Sequence, residues 1–302
     1  MIITTNIEHL RDPFVLVENG VYYAYGTGAS NGDWDGTTWA CYKNTSGRLD
    51  GEWKRLEHEI YERPLNAVKN LWAPEIHRYR DKYYMFASYF SSVTNHRGVS
   101  ILKSDSPEGP FVEITNGHIT PHDWDAIDGT FYVDRDGRPW MVFVHEWTST
   151  DDNIGRMAAA RLSDDLTQFV SSPVELFRAD APAWSEHRVT DGCFLYDLKS
   201  GGLCMLWSNF ASNGFEGYCV GVAHSDNGYP DGKWTQEDAP IFSNLVTGKY
   251  DGGHGMIFRD TDGKQYLCVH SPNKPCEECA ERTIFVSLTE RDGRLVCEGK
   301  NV

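Results

Sequence analysis

A short apolar strand, a tight polar turn and an aromatic-rich return strand recur five times along this chain. That repeat narrows the folds open to it more than any other feature. The copies begin Asp12-Pro-Phe-Val, Ala73-Pro-Glu-Ile, Asp128-Gly-Thr-Phe, Asp191-Gly-Cys-Phe and His254-Gly-Met-Ile, so the steps between openings are 61, 55, 63 and 63 residues. A hairpin-built period of this size is the signature of a β-propeller with one blade per repeat. The expected fold is therefore all-β, a five-bladed β-propeller forming a single domain over residues 1–302. Equivalent positions of successive blades converge on one axis, so Asp12, Asp128, Asp191 and His254 are expected to face one another there.

The hairpin turns read Glu18-Asn19-Gly20, Asp134-Arg135-Asp136-Gly137, Ser200-Gly201-Gly202 and Asp260-Thr261-Asp262-Gly263. Asn-Gly and Asp-Gly tolerate the positive φ that tight hairpins need. The Asp-x-Asp-Gly pieces are turns rather than calcium loops, because the glycine comes too early and no bidentate Glu follows. Outer strands end in Ser-Asp after Val99, Met157 and Tyr218, and no long 3.6-residue stripe argues for a major helix. The opening segment Met1–Leu10 is expected to share a blade with the strand Thr283–Leu288, closing the ring and removing exposed edges.

The chain is 40% hydrophobic and carries a formal net charge of −16. That charge disfavours nucleic acid or an anionic membrane as partner, since both are bound through Lys and Arg; a neutral substrate is compatible with it. The first ten residues show neither a basic region nor a long apolar run, no stretch approaches a membrane span, and most of the eight cysteines lie in apolar strands. Together these features give a cytoplasmic expectation. Cys276-Glu-Glu-Cys279 lacks a second pair at zinc-ribbon spacing and falls in a Pro-containing loop, so it is expected to be structural.

A single Asp at a strand start is usually a cap or turn residue. Three carboxylates and a histidine gathered at one axis are harder to explain that way, because like charges repel and lift each other's pKa. Two uses fit: glycosidic hydrolysis by a pair of carboxyls, or binding of a cation at the ring centre. Arg11-Asp12-Pro13, Trp72-Ala73-Pro74-Glu75, Ile127-Asp128-Gly129 and Gly253-His254-Gly255, in that order, resemble glycoside hydrolase family 43. The resemblance covers essentially the whole chain. It implies a five-bladed propeller acting on arabinose- or xylose-containing glycans, with Asp12 as general base and Asp128 tuning the acid. It also puts His254 near a metal, of calcium type if present, or an ordered water on the axis; the chemistry itself requires no cofactor.

One motif departs from that pattern. The family's acid is usually a Glu followed by Gly-Pro, and here the sequence reads Thr190-Asp191-Gly192-Cys193. Asp191 is the first candidate for the acid, with Glu146 (in His145-Glu146-Trp147) and Glu186 (in Ser185-Glu186-His187) behind it. Trp72, Glu75, Trp124 and Trp147 are candidates for holding sugar, and Trp184 is a further aromatic beside an opening. The resulting expectation is an inverting glycosidase that releases terminal α-L-arabinofuranosyl or β-D-xylosyl units from neutral oligosaccharides. Endo-1,5-α-L-arabinanase activity and a non-catalytic sugar-binding propeller are the alternatives.

Overall fold

The structure, a computed structural model, describes residues 1–28, 36–185 and 188–299. Strand β1 (Ile2–Glu8) leads directly into the first blade, formed by β2 (Leu10–Glu18), β3 (Val21–Gly28), β4 (Thr38–Asn44) and β5 (Lys54–Arg55). The second blade holds β6 (Ala67–Tyr79), β7 (Lys82–Ser91), β8 (Arg97–Ser104) and β9 (Val112–Glu113). The third holds β10 (Ala126–Val133), β11 (Pro139–His145), β12 (Arg156–Arg161) and β13 (Val174–Arg178). The fourth holds β14 (Asp191–Asp197), β15 (Leu203–Phe210), β16 (Tyr218–Ser225) and β17 (Trp234–Gln236). The last combines β18 (Gly253–Arg259), β19 (Gln265–Ser271) and β20 (Arg282–Arg291) with β1, and β21 (Arg294–Cys297) pairs with β20. This is the expected five-bladed propeller, and its ring is closed by the two chain ends: Ile2, Ile3 and Thr4 lie opposite Val286, Phe285 and Ile284. No described helix is long and apolar enough to cross a membrane.

All five inner strands break register at the same place. Arg11 pairs with Thr27 before pairing resumes at Phe14 with Tyr25, and the same break follows Trp72, Ile127, Asp191 and Gly253. The residue just past each break is Asp12 (φ 52°), Ala73 (42°), Asp128 (53°), Gly192 (54°) or His254 (53°), all left-handed. A bulge of this kind bends its strand and re-aims a side chain. Asp and His tolerate the left-handed region better than most residues, and glycine enters it freely. The local backbone therefore constrains which residue types can occupy the ring.

The fourth blade requires a correction. Gly192, not Asp191, is the ring member, and Asp191 takes the register position of Arg11, Trp72, Ile127 and Gly253. The hairpin turns explain the slip. Bonds from Asp134 N to Arg138 O, Leu198 N to Gly202 O and Asp260 N to Lys264 O close equivalent turns. These residues lie six positions past Asp128, Gly192 and His254 (134 − 128, 198 − 192, 260 − 254). Matching Asp191-Gly-Cys-Phe to Asp128-Gly-Thr-Phe by residue type displaces the whole motif by one.

Aromatic side chains fill the seams between blades. Trp53 of the first blade lies 5.8 Å from Phe285 of the last, and Phe86 stacks on Phe131 of the next blade at 5.3 Å. Trp184 is buried against Trp207 at 5.3 Å, so it is core rather than a sugar platform. Burying a ring of this size removes 150–250 Å² from water, which makes the seams a main source of cohesion. All eight cysteines are free, and Cys276 and Cys279 exchange backbone hydrogen bonds of 3.0 and 3.1 Å in a tight turn.

Candidate active site

The inner strands start around one cavity of about 360 Å³, a volume suited to a small ligand. Asp12, Asp128, Asp191, Glu146 and His254 all line it, with Trp72, Trp147, Ile127, Val189 and Phe210 as apolar wall. The sequence therefore located most of the polar set.

Asp12 is held ionised. Thr27 Oγ1 donates to its Oδ2 at 2.6 Å, and His254 Nδ1 lies 3.1 Å from its Oδ1. Burial pushes the carboxyl up, but His254 and Arg11 outweigh it and hold Asp12 well below the usual carboxylate range. Its backbone N–H donates to His270 Nδ1 at 3.2 Å. Burial and Arg11 drive His270 down to about 3, so this imidazole is neutral and keeps a lone pair for that amide. Arg11 is fixed in turn by Glu281 Oε1 at 2.7 Å and by the carbonyl and side-chain oxygens of Asn273, each at 2.8 Å.

His254 carries a proton. Burial pulls its imidazole down, but Asp12 and Asp128 outweigh that and raise it to about 10. A protonated Nδ1 facing Asp12 donates and does not coordinate, so His254 in this state does not fit a direct calcium ligand. It lines the cavity beside Asp12 and Asp128, with Nδ1 3.1 Å and 3.8 Å from their carboxyl oxygens. Among the described residues no group of three or more His, Cys, Asp or Glu is arranged to hold a metal ion.

The other carboxyls lining the cavity resist ionisation. Burial lifts Asp128 to about 6 against the pull of His254, with Asp12 and Glu75 adding repulsion, while its Oδ2 accepts the Gly192 N–H at 2.8 Å. Asp191 is raised to about 8 by burial and by Asp128, although Tyr218 Oη donates to its Oδ2 at 2.8 Å. Glu146 is raised to about 7 by burial, and Arg97 Nε donates to its Oε2. Three carboxyls with raised pKa thus border a cavity in which Asp12 is fully charged, and Asp191 is raised furthest.

Two expected substrate contacts lie elsewhere. Glu75 sits two residues past the ring, buried, with Oε2 2.8 Å from His77 Nε2 and away from the cavity wall. Alternation along β6 turns it below the site, where the motif Ala73-Pro74-Glu75 gave no sign of depth. Trp124 stacks face to face on His145 at 3.8 Å and packs against the core shared by the second and third blades, away from the cavity lining. Glu186 lies outside the described residues. The sequence reading missed Thr27, Arg97, Phe210 and Tyr218, which come from second and third strands or their edges, where no repeat marks a position.

The chain is 34% identical to the solved endo-arabinase from Bacteroides thetaiotaomicron VPI-5482, with a TM-score of 0.81 over 97% of this chain and 98% of that one. It is 27% identical over 156 residues to the extracellular endo-α-(1→5)-L-arabinanase 1 of Bacillus subtilis (strain 168), covering 47% of this chain and 45% of that protein. It is 25% identical over 217 residues to the extracellular exo-α-(1→5)-L-arabinofuranosidase of Streptomyces chartreusis, covering 68% of this chain and 63% of that protein. The chain thus spans about half to two thirds of the length of these curated relatives. The description Glycosyl hydrolases family 43 matches residues 6–293, nearly the whole ring, and to that family the chain belongs.

Proposed function

We propose that the protein is an inverting glycosidase that removes terminal α-L-arabinofuranosyl or β-D-xylosyl residues from neutral arabinan- or xylan-type oligosaccharides. The observation that carries this reading is that Asp12 and Asp191 line one cavity and are held in opposite protonation states. Asp12, charged, takes a proton from water as the water oxygen bonds to the anomeric carbon. Asp191, protonated, gives its proton to the glycosidic oxygen as that bond breaks, and the electron pair leaves with the oxygen. Inversion follows because base and acid act on opposite faces of the sugar, with water seated on the base side. Asp128 keeps Asp191 protonated by repulsion, and His254 keeps Asp12 charged. Trp72, Ile127 and Phe210 offer apolar surface to the ring faces of the sugar.

Hydrolysis of a panel of aryl pentosides, with the first-formed anomer read by NMR, tests the proposal. Release of the inverted pentose is expected; retention of configuration, or no release from any pentoside, overturns it. An endo-acting arabinanase is the second reading, favoured by the name of the 34%-identical structure. A fall in mean chain length of linear arabinan before free arabinose accumulates would select it.

A further inference from the structure

Tyr218 lies outside the five hairpin openings, yet it links the acid Asp191 to His270 beside the base. It opens β16, the third strand of its blade, where an inner-strand pattern gives no reason for a polar group at the axis. Its hydroxyl donates to Asp191 Oδ2 at 2.8 Å, and its ring lies nearly parallel to His270 at 5.7 Å, the histidine that accepts the Asp12 amide.

Its placement is over-determined. Tyr218 N donates to Asp251 Oδ2 at 2.9 Å, while Asn273 N donates to Asp251 Oδ1 at 3.0 Å. One carboxylate therefore staples the start of β16 to the loop that grips Arg11. Two glycines provide the space: a Cβ on Gly253 would come within 2.4 Å of the Tyr218 ring, and one on Gly217 within 2.3 Å of Asp251.

We propose that Tyr218 is the positioning residue for the general acid, its O–H holding Asp191 Oδ2 so that the proton-bearing oxygen is presented to the glycosidic bond. The inference rests on Asp191 being that acid. A carboxyl on a single methylene reaches less far than a Glu and has fewer torsions with which to aim itself, so a fixed donor defines which oxygen faces the substrate. The same bond stabilises the carboxylate left after proton transfer. In the step itself the Asp191 proton moves to the leaving oxygen, and the Tyr218 proton stays on its own oxygen. The other charged groups acting on Asp191 are Asp128, His254 and Glu146, and Asp12 also acts on Tyr218.

Tyr218→Phe tests the proposal, since it keeps the ring stacked on His270 and removes only the donor. With an unsubstituted phenyl pentoside, kcat is expected to fall roughly 10- to 100-fold, the size of one hydrogen bond to a charged group. With a 2,4-dinitrophenyl pentoside, whose leaving group departs without a proton, the fall should be under about threefold, with KM unchanged for both. The alkaline limb of kcat should move to higher pH, because loss of the donor disfavours the Asp191 carboxylate. Equal losses on both substrates with an unmoved limb would reduce Tyr218 to a packing residue. Asp191→Asn, run beside it, separates the two claims. If Asp191→Asn shows the leaving-group dependence and Tyr218→Phe does not, only the positioning role fails. If Asp191→Asn shows none, the acid assignment fails and the inference falls with it. A thermal melt of Tyr218→Phe checks that the ring has stayed folded.

Discussion

Asp12 and Asp191 are the same residue type in one cavity, held in opposite protonation states by their neighbours. Asp12 meets His254, Arg11 and a hydroxyl donor; Asp191 meets burial and another carboxyl. Asp12→Asn keeps size and hydrogen bonding but cannot accept a proton, so turnover should fall roughly 10²–10⁴-fold. A purified variant with near-normal rates would make Asp12 a bulge residue and nothing more. Asp191 has a consequence for stability too. Its folded pKa of about 8 stands above the ordinary 3.8, so between those values the folded state keeps a proton that the unfolded state has lost. Stability therefore falls as pH rises through that window. Asp191→Asn cannot ionise and escapes the loss, so its Tm relative to the parent should rise between pH 5 and pH 8. Parallel melting temperatures at the two pH values would contradict the raised pKa. His254, raised to about 10, acts in the same direction: its contribution is complete below about 6.5 and is lost as pH rises through 10.

At the scale of the strand, the bulge shared by all five inner strands makes the site. One left-handed residue per blade is turned toward the axis, and the chain places Asp, Ala, Asp, Gly and His there. Gly192 is the member that cannot change cheaply: φ is 54°, and a Cβ would sit 2.8 Å from His254 Cγ. Gly192→Ala should cost about 1–3 kcal/mol, combining left-handed strain with pressure on His254. It should also lower kcat by moving the charge that holds Asp12 ionised; an unchanged denaturation midpoint would show that the ring gives way freely. This geometry also explains what the sequence could disclose. Asp12, Asp128 and His254 were legible because each opens a hairpin whose alternation and turn are local. The one-residue slip at Asp191 arose because Asp191-Gly192 mimics the Asp128-Gly129 opening, while backbone pairing alone defines the true register. Glu75 looked like a site residue because distance along the axis leaves no trace in a period. Tyr218 and Arg97 were invisible because pairing of third strands, a non-local outcome, brings one to the cavity and the other to Glu146.

Across the whole molecule, closure of the ring and the working end of the site are one structure. Strand β1 pairs with β20 in the last blade while Asn6 exchanges two 2.9 Å bonds with the Trp53 backbone in the first, so one segment fastens both sides of the seam. Thr5 Oγ1 donates to Thr283 O at 2.7 Å, and His9 N to Glu281 O at 3.1 Å. That same Glu281 holds Arg11, the residue before Asp12. Loosening the seam should therefore be felt at the base before any blade unfolds. Asn6→Ala removes the bonds to Trp53 from an otherwise intact chain. A loss of about 1–3 kcal/mol is expected, or roughly 2–4 °C in Tm for each kcal/mol. Removing residues 1–8 altogether leaves the stretch of β20 from Arg282 to Val286 unpaired on that side, an open template for another chain. That truncated protein should lose its single cooperative melting transition, gain mass by light scattering and lose activity together. If it instead melts as one sharp monomeric transition with activity retained, β1 is an ornament on a ring that the other blades close without it. The coupling from seam through Glu281 and Arg11 to Asp12 would then have to be abandoned.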